Sequence, residues 1–154
     1  MAGEMKGESG TRRDAVGEAA LAFLQDFWRG DVAAAVRRCA PGAIFVFARS
    51  LPFPRECPID EALNSIVDGL FSQFDPPGRF RVDVRHIVSD GRNVTVEYSA
   101  YGRLLNGREY ANDYVMAITV ERGLVTCQRA YTDTLHLTRL FGPDEGDPCT
   151  SATA

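Results

Sequence analysis

No cysteine in this chain stands close in sequence to another cysteine or to a histidine: Cys39, Cys57, Cys127 and Cys149 are scattered, with no CxxC among them. That absence removes a structural zinc site and a disulfide framework, and it makes a reducing, cytoplasmic setting the expectation. Long apolar runs are missing as well. No stretch approaches the roughly eighteen consecutive apolar residues of a spanning helix, and the opening MAGEMKGESGTR lacks the apolar segment of a secretory signal; no membrane partner is expected. Nor is positive charge gathered into a stripe. The net charge is -4 and the pI about 5.2, with basic residues spread along the chain, so nucleic acid is a poor candidate partner. The nearest basic patch, Arg79, Arg81 and Arg85, alternates along one predicted strand and reads as its solvated face. A P-loop, a dinucleotide fingerprint, a Ser/His/Asp order and a metal-spaced cluster are all absent, so neither cofactor nor metal is expected.

What the chain has in quantity is strand. From Arg92 to Leu137, runs rich in β-branched and aromatic residues are divided by Asn106-Gly107 and by Glu121-Arg122-Gly123, which predicts three long antiparallel strands. Strands well beyond the usual length of about five or six residues must curl, and the curl is expected to enclose a pocket. Upstream, Phe80 to Ser89 alternates apolar and charged residues, a half-buried strand. Asp14 to Arg29 carries Val16, Ala19, Ala20, Phe23, Leu24, Phe27 and Trp28 at helical spacing, with Asp26 off the stripe and expected in solvent. Gly30 ends this helix and Asp31 caps a second through Arg38. Ala43 to Ala48 is a short strand, Leu51 to Pro58 a proline-rich loop or lid, and Ile59 to Phe74 a third helix. At 154 residues the chain fits one domain over 13–141; 1–12 and 142–154 are expected to be disordered.

The order is two helices, a strand, a helix and four antiparallel strands. With FLQDFWRGDVAAAVRRCAPGAIFVF early and YANDYVMAITVERGLVTCQRAYTDT late, the chain resembles the SnoaL-like polyketide cyclases, within the superfamily of nuclear transport factor two and ketosteroid isomerase. The resemblance covers roughly Ala15 to Leu140. It implies an α+β fold, a cone-shaped barrel of curled antiparallel sheet packed against three N-terminal helices, often a homodimer joined through a sheet face. It also implies an apolar small-molecule ligand and no cofactor. The catalytic positions of those relatives are mostly apolar here. The Tyr, base Asp and protonated Asp of ketosteroid isomerases fall on Phe23, Phe47 and Met116. The polar network of limonene epoxide hydrolase falls on Ala130, Tyr98, Ala100, Phe45 and Phe47, and the catalytic Asp of SnoaL-like cyclases lands near Ala130. Epoxide hydrolysis is thereby disfavoured.

Strand alternation places Asn112, Tyr114, Met116, Ile118 and Val120 on the inward face. A three-residue loop at Glu121-Arg122-Gly123 pairs Val120 with Leu124, Met116 with Gln128, Tyr114 with Ala130 and Asn112 with Thr132. The preceding strand has two readings. A strict two-residue turn at Asn106-Gly107 puts Glu97 inside; the alternation of Val94, Val96, Tyr98 and Ala100 puts Tyr98 inside, and is favoured because an unpaired buried Glu costs several kcal/mol. Candidate catalytic groups are then Tyr98 and Tyr114 as hydrogen-bond donors to a carbonyl or enolate oxygen, and His86 as a general base. Asn112, Gln128, Met116, Phe23, Phe45, Phe47, Trp28 and Ala130 are expected to hold the ligand. The functional expectation is cyclase- or isomerase-type proton transfer on a bulky apolar substrate such as a polyketide or steroid-like ketone. The alternative is a non-catalytic binding or dimeric interaction module. A carboxylate inside the cone favours the enzyme, and a cavity with hydroxyls and amides alone favours the binder.

Overall fold

The structure, a computed structural model, describes residues 14–142, so the termini expected to be disordered lie outside it except for Gly142. Helix α1 (Ala15–Trp28) starts where the Asp14 side chain accepts from the Gly17 amide at 2.7 Å, and the chain leaves it through Gly30 at φ 75°. Asp31 caps α2 (Val32–Arg37) by accepting from the Ala34 amide at 2.9 Å. Then come β1 (Cys39–Val46), β2 (Glu56–Pro58) and α3 (Ile59–Gly69), the last followed by a single 3-10 turn, Phe71–Gln73. Strands β3 (Phe80–Ser89), β4 (Asn93–Arg103), β5 (Glu109–Glu121) and β6 (Leu124–Thr132) precede a helix α4 (Thr134–Phe141). Among the described residues no helix is long and apolar enough to cross a membrane.

The six strands form one sheet in the order β2-β1-β6-β5-β4-β3. The α+β architecture matches expectation, with four differences. The sheet is open at β2 and β3 and does not close into a barrel, β1 runs parallel to β6, the end of the expected loop Leu51 to Pro58 is strand β2 paired to β1, and a fourth helix follows the last strand. That helix corrects the expectation of strand out to Leu137. Asp133 acts as its cap, accepting from the His136 amide at 2.9 Å, and Leu137, Leu140 and Phe141 follow at helical spacing.

Register decides which side chains face the helices, since a slip of one residue exchanges the two faces. Strands β4 and β5 pair without interruption from Asn93 with Thr119 to Arg103 with Glu109, and Tyr98 lies opposite Tyr114. The connection is one residue longer than the strict Asn-Gly turn. Leu104 N–H bonds the Arg108 carbonyl at 2.9 Å across Leu105, Asn106 and Gly107, with Gly107 at φ 84°. Glu97 accordingly faces outward. Between β5 and β6 the turn is instead shorter than expected: Arg122 and Gly123, at φ 52° and 78°, form a two-residue turn that pairs Glu121 with Leu124. A bulge after Thr119 adds one more step, so Met116 opposes Ala130 and Tyr114 opposes Thr132. The expected partners of Met116 and Tyr114 are therefore displaced by two residues, which keeps these side chains on their expected face, whereas Val120 opposes Val125 in place of Leu124, a displacement of one.

In β3 a single bulge changes the outcome. Val84 pairs with Tyr98 but His86 pairs with Glu97, so Arg85 is the extra residue and parity reverses beyond it. Ile87 then turns toward the helices, His86 is exposed and Val88 is 65% exposed, opposite to the alternation read from the sequence.

The core lies between α1, α3 and the concave sheet face, with Ala20, Phe23, Leu24, Leu63, Val94, Val96 and Ile118 all but inaccessible. Each large apolar side chain buried there contributes roughly 1.5–3 kcal/mol. Gly102 admits a close approach: a Cβ there would lie 2.7 Å from the Phe74 ring. Asp26 corrects a second expectation. It is buried rather than solvated, ion-paired to Arg29 and to Arg38 Nε at 2.5 Å, while its carbonyl accepts from the Asp31 amide at 3.0 Å. It therefore ties α1 to the end of α2. Asp26→Ala is expected to remove about 2 kcal/mol and lower Tm by about 4–8 °C, with a smaller loss for Asp26→Asn; an unchanged Tm in calorimetry would contradict this role.

Candidate functional site

Between the helices and the concave face is a cavity of about 610 Å³. Twelve of its lining residues are aromatic and none is charged, so the space is apolar with a few placed hydroxyls. Phe27 and Trp28 enter from α1, Phe45 and Phe47 from β1 and its exit, and Phe71, Phe74 and Phe80 from the turn after α3 and the start of β3. Phe71 meets Phe27 at 5.1 Å and Phe80 at 4.6 Å between ring centres, which makes this end of the cavity aromatic. At the mouth, Ser50 donates to Thr134 Oγ1 at 2.8 Å, joining the loop after β1 to α4. The C-terminal end of α4 is held by the β4–β5 connection. Arg108 Nη1 donates to the carbonyls of Arg139, Leu140 and Gly142 at 2.7, 3.0 and 3.2 Å, and Asn106 Nδ2 to Leu140 at 3.1 Å. His136, at the other end, bonds the Ala111 carbonyl at 2.8 Å.

The polar wall is made by β4 and β5. Tyr98 and Tyr114, direct cross-strand partners, stack at 5.0 Å with 8° between rings, and the Trp28 ring meets Tyr98 edge-on at 4.8 Å. Tyr110, four residues before Tyr114 on the same face, hydrogen-bonds its hydroxyl to that of Tyr114. Burial pushes the Tyr98 phenol far above its ordinary range, reinforced by Tyr114 and slightly offset by the nearby Trp28 indole. Burial, with Tyr114 beside it, does the same to Tyr110, and burial raises Tyr114 against hydrogen bonds that oppose the shift. All three are therefore neutral donors at physiological pH, suited to polarising an oxygen and unsuited to removing a proton. The Trp28 Nε1–H, in a residue only 9% exposed, lies near Tyr98 but makes no hydrogen bond of acceptable geometry.

Of the residues singled out from the sequence, the structure gathers Tyr98, Tyr114, Met116, Trp28, Phe45, Phe47 and Ala130 around the cavity. Phe23 lies in the core beside it, and Gln128 is fully buried with Nε2 on Met116 Sδ at 3.2 Å and Oε1 unpartnered. Asn112 is buried behind the tyrosines and does not border the space. His86 is on the outer face because of the β3 bulge, so it is not brought to these groups. Sequence reasoning missed Tyr110, although it shares the parity of Asn112 and Tyr114. It also missed the α4 residues Leu137, Thr138 and Phe141, whose helix went unread. Asp113 faces outward, accepting from Ser99 Oγ at 2.5 Å beside Arg85 at 3.6 Å. Among the described residues no three His, Cys, Asp or Glu side chains cluster as metal ligands.

The profile of the SnoaL-like domain family matches residues 20–128. A comparison with curated proteins finds no match. Among solved structures, TerC co-crystallised with polyporic acid superposes with a TM-score of 0.70 at 18% identity, covering 82% of this chain and 98% of TerC. A putative SnoaL-like polyketide cyclase from Jannaschia sp. CCS1 gives 0.68 at 20%, covering 89% and 100%. AusH from Aspergillus nidulans gives 0.67 at 22%, covering 82% and 88%. At these identities the likeness is one of fold.

The raised phenols make stability fall at alkaline pH. A tyrosine in the unfolded chain releases its proton near pH 10, while Tyr98, Tyr110 and Tyr114 hold theirs to higher pH. The unfolded state thus binds fewer protons above about pH 10, and their contribution, complete below that pH, declines as pH rises. Cys39, pushed up to about 12 by burial, adds a decline of the same sign from about pH 9. Urea midpoints between pH 8 and pH 11 are expected to fall, and less steeply for Tyr98→Phe combined with Tyr114→Phe; equal slopes would contradict the assignment.

Proposed function

We propose, since the chain belongs to the SnoaL-like domain family, that its cavity receives a bulky, largely apolar small molecule and orients it through an oxygen at the tyrosine wall. The observation that carries this reading is the aromatic, uncharged lining of a space of about 610 Å³, within the usual range of about 300–1,000 Å³ for ligand sites. The shared fold of TerC, co-crystallised with polyporic acid, and of a putative SnoaL-like polyketide cyclase supports a ligand of this kind. What the residues supply to a cyclase- or isomerase-type step on a polyketide- or steroid-like ketone is electrophilic, and the proton leaving carbon passes to solvent or to a basic group of the substrate itself. In that step, Tyr98 and Tyr114 polarise a carbonyl while the aromatic walls hold the substrate in reactive geometry. The walls named earlier, Trp28, Phe45, Phe47, Met116 and Ala130, provide shape.

A second reading, a non-catalytic carrier, is favoured by one observation: no carboxylate, histidine or lysine borders the cavity among the described residues. In both readings we place the protein in the cytoplasm, in keeping with the free thiols of Cys39, Cys57 and Cys127. We further propose a homodimer through the outer sheet face, where the cross-strand neighbours Val115 and Tyr131 are 37% and 49% exposed.

Trp28, the sole tryptophan, reports on the site directly. Polycyclic ketones are expected to change its emission saturably and, at 100 times Kd, to stabilise by about 2.7 kcal/mol. Tyr98→Phe and Tyr114→Phe should each weaken binding by about three- to tenfold. Neither a spectral change nor a Tm shift across the panel would overturn the ligand reading. Product analysis after prolonged incubation separates enzyme from carrier.

A further inference from the structure

We infer that Gln128, which does not border the cavity, acts as a positioning residue: it draws the Met116 thioether along the sheet face and so sets how thick a ligand the space above accepts. This deepens the ligand reading above and rests on it.

Gln128 is an amide enclosed by apolar neighbours. On the concave face it stands between its cross-strand partners, Phe45 of β1 and Ile118 of β5, each 1% exposed, and is itself wholly inaccessible. Two residues further along β6 is Ala130, which opposes Met116, so Met116 and Gln128 are diagonal neighbours on one face. Phe45, Ala130 and Met116 all border the cavity. Gln128 thus belongs to the floor and is covered by the side chains around it.

Its amide makes one side-chain hydrogen bond among the described residues. Nε2 donates to Met116 Sδ at 3.2 Å, and Oε1 has no partner. A thioether accepts weakly and never donates, which fixes the end of the amide that faces it. Judged by stability alone the arrangement is poor, since a buried acceptor left unmatched is costly and an apolar side chain of the same length avoids that cost. What the bond accomplishes is to hold a methionine. Met has three rotatable bonds and fills irregular space in many shapes, and the residue opposite, Ala130, is too small to confine it. The bond supplies the missing restraint by turning the sulfur sideways toward β6 and away from the space beneath Phe27 and Trp28 of α1.

Gln128→Met in the full chain keeps the length of the side chain and removes the amide. Two four-ring ketones, flat benzanthrone and the thicker, saturated androstane-3,17-dione, are titrated by calorimetry, and the wild type is expected to bind both. The variant should hold or raise Tm, weaken the steroid about three- to tenfold and leave benzanthrone within about twofold, because only the thick ligand needs the thioether kept low. In the ligand-free protein the ε-methyl of Met116, identified among the three methionines by its loss in Met116→Leu, should move toward a rotamer-averaged carbon shift with a lower order parameter. In a Met116→Leu background the change at Gln128 should leave the ratio of the two affinities where it was. Gln128→Leu also lacks the donor and replaces the Met variant should that one fail to fold. An unchanged methyl signal overturns the restraint on Met116 whether or not a ligand binds. A freed methyl with both ketones affected equally overturns the role in thickness, as does a lowered Tm with an unchanged ratio. Binding of neither ketone by the wild type overturns the ligand reading, and the methyl signal still judges the restraint.

Discussion

The unbroken ladder between β4 and β5 is the constraint on which the rest depends. Its eleven consecutive cross-strand pairs hold one alternation of faces over the whole length of the sheet's centre. Val94, Val96, Tyr98 and Ala100 are thereby committed to the concave side together with Met116 and Ile118. Loss of one residue anywhere in that ladder would bring Glu97 inward and carry the phenols out. The apolar lining is thus a consequence of register, and the stacking of Tyr98 on Tyr114 follows from their being opposite one another.

On that wall, burial and hydrogen bonding act in opposite directions. Desolvation keeps the three phenols protonated, while hydrogen bonds at Tyr114, that to Tyr110 first among them, oppose the shift. The result is a polar strip without charge inside an aromatic enclosure. Such a strip can recognise and polarise an oxygen, but it holds no group basic enough to remove a proton from carbon.

Much of this was legible in the sequence where a local rule has a strong residue behind it. Asp14, Gly30 and Asp31 delimit the first two helices as their capping chemistry requires, and the strand Phe80 to Ser89 was readable from alternation. Tyr98 was placed inward because the apolar alternation outweighed an ideal Asn-Gly turn. What escaped were insertions of a single residue. The extra Arg85 in β3 and the step after Thr119 have no composition of their own, since any residue can be the unpaired one. Two errors near the second turn cancelled in parity and left the wall intact; one error in β3 did not, and it moved His86. Helix α4 escaped because Tyr131 to Leu137 has strand propensity, and its start is signalled only by the Asp133 cap. Asp26 escaped because its partner Arg38 lies on a different helix end, twelve residues away.

The β3 bulge also bears on how this chain lives among other chains. A terminal strand ten residues long offers a row of unsatisfied amides and carbonyls to any passing segment of extended polypeptide. Here the row is broken midway by Arg85, and Arg81, Asp83 and Arg85 crowd the same stretch with charge. A residue without a place in the pairing pattern thereby denies foreign strands a straight template, and the sheet ends where the chain needs it to end.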